Sequence, residues 1–201
     1  MKNRHKNIFC AVRPPGHHAL NTGKHEGFCF YNHIAISAKY IQSKYKLRKV
    51  LIVDWDYHHG NSTELFFYND PSVLFFSTHD ANAYPRTGSP DRTGSGKGKG
   101  YNVNIHLPCG TTDKKIISTY ENILVKKANI FKPDFILISA GFDSRKDDPL
   151  GCFDISDKGF KTLTTIALQI AEDHCNGRIL SILEGGYNVL GNAKAAVTHI
   201  E

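Results

Sequence analysis

Short apolar runs alternate with amphipathic segments along the chain, and this pattern predicts a parallel sheet covered by helices. The apolar runs predict strands at 8–12, 50–53, 73–78, 101–105, 135–140 and 179–183, and the segments between them predict helices at 32–46, 62–67, 116–130 and 157–175. Several runs, such as FILISA at 135–140, are apolar at every position, which is typical of strands buried on both faces. We therefore predict an α/β fold with three layers, in which helices cover both faces of a mostly parallel sheet.

Polar residues with metal-binding side chains follow two of the predicted strands. The strand 50–53 leads into Asp56 and His58, and the strand 135–140 leads into Asp143. Parallel strands bring their carboxyl ends to one edge, where open α/β sheets bind ligands. Two carboxylates and one imidazole at that edge would form a zinc site with an open position. Taken alone, the Asp-x-His pair is equally typical of an ordinary polar strand end.

A rigid loop and a tyrosine are candidates to complete such a site. Pro-Pro-Gly at 14–16 cannot continue a helix, and it leads into the adjacent His17 and His18. By themselves these histidines are more typical of a surface loop. A cation held by two carboxylates acidifies its water less than one held by three histidines, so a nearby imidazole base would be useful. Tyr187 follows the strand 179–183 at the same edge of the sheet.

The composition narrows the class of protein. The chain has 201 residues, of which 40% are hydrophobic and 22% charged, enough for one globular domain with a core. Its net charge is +6, but the basic residues are scattered over MKNRHK, KYKLRK and KGK, so no specific nucleic-acid interface is predicted. No window approaches the roughly 18 apolar residues of a membrane span, and the segment IFCAV is too short for a signal peptide.

Two further features bear on compartment and ligands. The five cysteines are widely spread, odd in number and without a C-x-x-C pair, so we expect free thiols and a reducing compartment rather than a disulfide framework. This favours a cytoplasmic protein, with access to the nucleus if the source is eukaryotic. The segment 81–100 is rich in Gly, Ser and Lys but lacks G-x-x-x-x-G-K-[ST], so it predicts a flexible loop rather than a nucleotide site.

Five motifs, in order, resemble the zinc deacetylase family, which comprises histone deacetylases, acetylpolyamine amidohydrolases and acetoin-utilisation proteins. The motifs are RPPGHHA (13–19), GFCFYN (27–32), VDWDYHHGNS (53–62), AGFD with DPLG (140–151) and EGGYN (184–188). The resemblance spans most of the chain. It implies an arginase/deacetylase-like fold and a hydrolase that removes acetyl or other acyl groups from lysine side chains of proteins or peptides.

The resemblance also implies a role for individual residues. Zn²⁺ would be bound by Asp56, His58 and Asp143, and a structural K⁺ beneath it by groups that include Asp54 and Ser77. The implied catalytic residues are His18 as general base and acid, His17 as its electrostatic partner, Asp54 behind His17, Asn61 beside His18, and Tyr187 as the hydroxyl that polarises the acyl carbonyl. The implied substrate-binding residues are Gly27, Phe28, Tyr84, Leu150, Gly185 and Gly186.

Other functions remain open from the sequence. Polyamine-specific relatives can carry an acidic residue where Leu150 stands, so leucine favours a protein or peptide substrate, with an acetylpolyamine or another small acylamine as the alternative. An arginase-like enzyme is excluded, because SRKDDP after Asp143 lacks the Asp-x-Asp pair of a two-metal site. An alternative of another class is a non-catalytic remnant that acts by binding. No oligomeric state is predicted.

The chain departs from the family pattern in length and at single positions. The family domain usually has on the order of a hundred residues before RPPGHH and a further helical segment after EGGYN. Met1 lies only twelve residues before Arg13, so we expect residues 1–201 to form a single deacetylase-type domain that is incomplete at both ends. Arg86 replaces the Gly of P-G-T-G, and His106 replaces the Pro of N-V-P-L-P; Trp55 is bulky for its place between two aspartates. None of these changes removes a catalytic group.

Overall fold

A computed structural model describes residues 7–20 and 22–201, so the basic segment 1–6 lies outside the described residues. Its centre is a six-stranded sheet in the order β1-β6-β5-β2-β3-β4, and every neighbouring pair is parallel. The strands are β1 (Asn7–Cys10), β2 (Val50–Asp54), β3 (Val73–His79), β4 (Asn102–His106), β5 (Phe135–Ala140) and β6 (Ile179–Leu183). The predicted parallel α/β sheet is confirmed.

Helices cover both faces of this sheet, as predicted. They are α1 (His33–Tyr45), α2 (Asn61–Phe67), α3 (Asp113–Thr119), α4 (Val125–Phe131), α5 (Asp157–Cys175) and α6 (Val189–Ile200), with a π-helical segment, Tyr120–Leu124, between α3 and α4. Side-chain oxygens of Asn32, Ser156 and Asn188 accept backbone N–H bonds at the starts of α1, α5 and α6, so these helices begin where an N-cap residue stands.

The alternation of side chains along each strand divides the apolar core into two clusters. Val50 and Ile52 of β2 pack with α1 and α2 on one face of the sheet. Leu51 and Val53 pack with α3 to α6 on the other face. Because both faces are covered, every residue of β2, β3 and β5 is buried, which explains their unbroken apolar runs.

Two aromatic residues connect this core to the carboxyl edge of the sheet. Trp55 directly precedes Asp56, Phe142 directly precedes Asp143, and both rings are fully buried. Each packs against Phe160 of α5, with ring centroids 6.4 Å and 5.1 Å away respectively. The packing of α5 therefore positions the two loops that carry these aspartates.

Helix α6 was not predicted, although it follows the EGGYN motif. Its buried residues are Gly191, Ala195 and His199, while Val189 and Leu190 are 80% and 74% exposed. The buried side of the helix is made of small or polar residues and its large apolar residues are exposed, so its apolar pattern does not mark the side that faces the core. Within the described part of the chain, no helix is long and apolar enough to cross a bilayer.

The expectation of free thiols is wrong for two of the five cysteines. Cys109 and Cys152 form a disulfide with a Cα–Cα distance of 5.1 Å, although they are 43 residues apart. Their loops meet through a parallel bridge between Thr112 and Asp154 and through a hydrogen bond from Gly110 N to Cys152 O. This meeting depends on tertiary structure, and cysteine spacing alone does not reveal it.

We predict that Phe160→Ala lowers the free energy of unfolding by about 3–5 kcal/mol, because it leaves a cavity beneath both aspartate-bearing loops. Ile130→Ala is the matched control: Ile130 is 80% exposed on α4, and its loss is expected to cost less than about 0.5 kcal/mol. Urea denaturation of both variants measures the difference. Equal stability of the two variants would contradict this description of the core.

Candidate active site

The loops that follow β2 and β5 leave the sheet side by side, because Asp54 and Ser139 are paired in register at the ends of these strands. The strand geometry ends at Asp54, so Asp56 and His58 reach the site from a loop and not through strand alternation. Asp143 comes from the corresponding loop after β5. The three candidate metal ligands are therefore brought together by neighbouring strand ends.

Asp56, His58 and Asp143 form a compact group that can hold a metal ion. His58 Nδ1 lies 3.0 Å from Asp143 Oδ2 and 3.2 Å from Asp56 Oδ1. One ligand atom from each residue falls within 4.8 Å of the others, and both carboxylates are buried. Two carboxylates balance the charge of a divalent cation, and the imidazole supplies the nitrogen ligand that zinc accepts.

Burial of these groups side by side perturbs their protonation. Burial and the charge of Asp56 raise the pKa of Asp143 to about 7. Burial would also raise the pKa of Asp56, but His17 and His58 hold it well below its usual value. Burial would lower the pKa of His58, but hydrogen bonds with Asp143 and Asp56 raise it to about 10. The pocket thus favours positive charge between the two carboxylates.

Backbone groups hold the two carboxylates in place. Tyr57 N donates to Asp143 Oδ1 and Gly185 N donates to Asp56 Oδ2, both at 2.8 Å. A Cβ atom on Gly141 would overlap the Asp56 carboxylate, and one on Gly185 would overlap both carboxylates. These two positions require glycine because the carboxylates lie against the backbone.

The two adjacent histidines have different polar partners. His17 Nδ1 lies 3.0 Å from Asp54 Oδ2, and His18 Nδ1 lies 2.8 Å from Asn61 Oδ1. Their ring centroids are 4.0 Å apart. The expected contacts of His17 with Asp54 and of His18 with Asn61 are therefore present. The catalytic roles of these residues stay predictions.

The surroundings of His17 and His18 shift the pKa values of the two rings in opposite directions. Burial would lower the pKa of His17, but the carboxylates of Asp56, Asp54 and Glu184 raise it well above its usual value. Burial and the charge of His17 lower the pKa of His18 well below its usual value. One buried ring therefore carries the charge, and the other is neutral and able to accept a proton.

A cavity of about 380 Å³ lies beside His18 and His58. Its lining comprises His18, Gly27, Phe28, His58, Tyr84, Leu150 and Tyr187. Phe28 has a φ of 66°, in the left-handed region that non-glycine residues rarely adopt, and its ring is 64% exposed at the mouth. An exposed aromatic held in an unfavourable backbone conformation is typical of a binding wall.

Two predicted substrate-binding glycines do not line this cavity. Gly185 faces Asp56 and Asp143, where its missing side chain makes room for the carboxylates. Gly186, with a φ of 136°, faces Asn192 of α6. Both lie behind the cavity wall formed by Tyr187.

Sequence reasoning missed two carboxylates that orient the loops of the site. Glu184 is fully buried and accepts N–H bonds from Gly16 at 2.6 Å and His17 at 3.1 Å. Asp148 accepts from Tyr187 N at 2.7 Å and from Asn188 N at 3.0 Å. The one signal available in the sequence is their presence inside the EGGYN and DPLG motifs. The motifs do not reveal that these carboxylates bind backbone amides.

The chain is similar to known deacetylases over nearly all its length. The histone deacetylase domain model matches residues 1–201. A probable deacetylase of Archaeoglobus fulgidus is 45% identical over 186 residues, which cover 92% of this chain and 51% of that protein. A histone deacetylase 10 of Oryza sativa, named chloroplastic, is 41% identical over 181 residues, 90% of this chain and 41% of that protein.

The solved structures include the same architecture. A crystal structure of the HDA15 HD domain matches with a TM-score of 0.90 and 44% identity, and it covers 98% of this chain and 57% of that chain. This confirms the expected fold. The chain spans about half the length of the relatives it matches.

We predict that Gly185→Ala lowers the affinity for zinc at least about tenfold, because the added methyl group displaces the supported carboxylates. Gly191→Ala is the matched control, since a Cβ there meets only side-chain atoms of Arg145 and Asn188 at 3.0 Å or more. Competition with a chromophoric chelator measures both affinities. Equal zinc affinity in the two variants would contradict the assigned support for the carboxylates.

Proposed function

The chain belongs to the histone deacetylase family, and we propose that it is a zinc-dependent amidohydrolase that removes acetyl or other acyl groups from lysine side chains of proteins or peptides. One observation carries this proposal. The imidazole of His58, which is grouped with the carboxylates of Asp56 and Asp143, lines a cavity that His18 and Tyr187 also line. Metal ligands, a base and a hydroxyl donor are thus available to one substrate group.

The donor set fits Zn²⁺ in its catalytic form, with three protein ligands and room for a fourth. The fit rests on ligand atoms within 4.8 Å of one another and on a buried carboxylate pair that requires positive charge. When bound, zinc would supply a Lewis acid for the acyl carbonyl and the attacking water. A K⁺ ion held partly by Asp54 and Ser77 is proposed on the resemblance; the two residues are fully buried and paired in register.

Different side chains of the site carry out the proton transfers of the proposed hydrolysis and stabilise the charges that develop. His18, which is neutral, accepts the proton of the attacking water and returns it to the departing amine. The charged His17, paired with Asp54, keeps His18 neutral before the reaction. The carboxylate of Asp56 stabilises the charge that then develops on His18, and Asn61 fixes the orientation of its ring. Burial and the charge of Asp56 raise the pKa of Tyr187, so its hydroxyl keeps its proton and donates to the developing oxyanion.

The cavity suits an acyl-lysine chain. Phe28 and Tyr84 provide apolar walls for the methylene groups of the lysine, and the mouth carries the uncharged Leu150. A second ammonium group of a polyamine would find no carboxylate at Leu150. A peptide substrate is therefore the primary proposal, an acetylpolyamine or other small acylamine is the second, and a non-catalytic binding role is the third.

Two further predictions of the sequence analysis remain proposals. Residues 1–201 are proposed to form one deacetylase-type domain, supported by the continuous sheet of the described residues. A cytoplasmic location is also retained as a proposal; relatives occur in archaea and plants, and two of the plant relatives are named chloroplastic.

We predict that the zinc-loaded chain hydrolyses a fluorogenic acetyl-lysine peptide and that Tyr187→Phe lowers kcat about 10²–10³-fold, because the oxyanion loses a hydrogen-bond donor. Tyr40→Phe is the matched control: Tyr40 is 54% exposed on α1, and its substitution is expected to leave kcat unchanged. Zinc content is measured on each sample. Full turnover by Tyr187→Phe would contradict the oxyanion role, and bound zinc without any turnover in the native chain would favour the binding alternative.

We predict that Leu150→Glu shifts the preference from the acetyl-lysine peptide toward an acetylpolyamine, because a carboxylate at the mouth pairs with the second ammonium group. The ratio of the two kcat/KM values is expected to change by at least about tenfold, and Leu150→Gln, which adds polarity without charge, is the control. A native chain that already prefers the acetylpolyamine would instead make the second proposal the correct one.

A further inference from the structure

A second cavity, of about 500 Å³, opens beside the substrate cavity and shares Asn61 with the proposed catalytic site. Tyr84 lines the first cavity, and Arg86 and Thr87, next along the same loop, line the second. His18 lines the first cavity, and its partner Asn61 lines the second. The polar side chains around the second cavity are those of Asn61, Glu64, Arg86, Thr87, Ser89, Arg92 and His106.

The loop 86–89 that forms one wall of this cavity is fixed by buried polar side chains. His59 Nδ1 lies 2.7 Å from Thr87 Oγ1, and His79 Nε2 lies 3.1 Å from the carbonyl oxygen of Gly88. His59 and His79 are 1% and 0% exposed, and the proposed hydrolysis does not use them. The cavity wall is therefore preorganised, which reduces the entropy lost on binding a ligand.

The cavity keeps one uncompensated positive charge. Arg92 Nε donates to Glu64 Oε1 at 2.5 Å, and the other oxygen of Glu64 accepts from the amide groups of Asn102 and Asn104. The Glu64 carboxylate is thus fully engaged. Arg86 has no side-chain hydrogen bond or ion pair among the described residues, so its guanidinium is free to bind an anion.

Arg86 also stands in a backbone conformation that disfavours it. Its φ is 61°, in the left-handed region, and its N–H is held by the carbonyl oxygen of Ala83 at 2.8 Å. Glycine would adopt this conformation without strain, and glycine is the residue that the family motif places here. An arginine in a left-handed backbone conformation at a cavity wall points to a use for its side chain.

The remaining groups at the cavity are mainly hydrogen-bond donors. Asn61 uses its Oδ1 for His18, and its Nδ2 has no partner in residues 7–20 and 22–201. The ring nitrogens of His106, at the end of β4, are likewise unpaired in those residues, and His106 is also a departure from the family motif. Donors on α2, on the loop 86–89 and on β4 thus face one space from three sides.

We propose that this cavity binds a phosphate group carried by a small molecule, with Arg86 as the principal contact. A tetrahedral oxyanion presents oxygens in several directions and can accept bonds from three sides, whereas a planar carboxylate accepts from fewer. The net charge of +6 adds a general attraction for anions. The principal contact, Arg86, has no role in the proposed deacetylation, so its substitution tests the anion site separately from the hydrolase function.

The test is isothermal titration calorimetry of the full chain with inorganic phosphate and pyrophosphate. We expect saturable binding at one site and a loss of affinity of at least about tenfold in Arg86→Gln. Lys97→Gln is the matched control, since it removes the same charge from an exposed position on the same segment but outside the cavity. Its affinity is expected to stay within about twofold of the native value.

Three results would overturn the proposal. If phosphate binding does not saturate, or if Arg86→Gln and Lys97→Gln lose the same phosphate affinity, the binding reflects only the general attraction of a basic protein for anions. Acetate binding that depends on Arg86 and is as strong as phosphate binding would identify a carboxylate site instead. Circular dichroism of Arg86→Gln confirms that the fold is retained. This titration measures no turnover, so a negative result leaves the proposed hydrolase function untouched. Likewise, a chain without hydrolase activity could still bind phosphate at this cavity.

Discussion

Asp56 and Asp143 bring two carboxyl groups into the protein interior within reach of one imidazole, and the geometry of the site follows from how that pair is held. Buried like charges are unfavourable unless they are paired and hydrogen-bonded. Here the backbone N–H groups of Tyr57 and Gly185 each bond one carboxylate, and His58 lies between them. A divalent cation would neutralise the negative charge of the two carboxylates. The glycines of the neighbouring loops are consequences of the same arrangement, because side chains there would occupy the space of the carboxylates.

Both the sheet and the apolar core position the carboxylates of Asp56 and Asp143. The parallel register sets the ends of β2 and β5 side by side, and the rings of Trp55 and Phe142 anchor the following loops on Phe160 of α5. Buried carboxylates then orient the outer parts of the site. Glu184 accepts hydrogen bonds from the backbone N–H groups of Gly16 and His17, and Asp148 accepts one from the backbone N–H of Tyr187. The packing that stabilises α5 therefore also positions the candidate metal ligands.

The parts of the fold with strong apolar patterns were predictable from the sequence. Strands β5 and β6 and helix α5 occur within the predicted bounds because their periodicity is unbroken. Helix α6 was missed because its buried side is made of small and polar residues, and the Cys109–Cys152 contact was missed because it depends on tertiary structure. The metal-ligand group was predictable from strand ends and motifs. The backbone-binding roles of Glu184 and Asp148, and the cavity at Arg86, depend on loop conformations that no local pattern specifies.

Zinc K-edge X-ray absorption of the zinc-loaded chain tests directly whether Asp56, His58 and Asp143 bind one zinc ion. We expect one bound zinc whose nearest shell contains only oxygen and nitrogen at about 2.0–2.1 Å, with the multiple scattering of one imidazole. We also expect Asp143→Asn to alter this shell, whereas Asp154→Asn, at an exposed aspartate outside the candidate metal-ligand group, leaves it unchanged. Sulfur scattering at about 2.3 Å, or a shell of two or more imidazoles, would place the metal elsewhere and show that these three residues do not bind it.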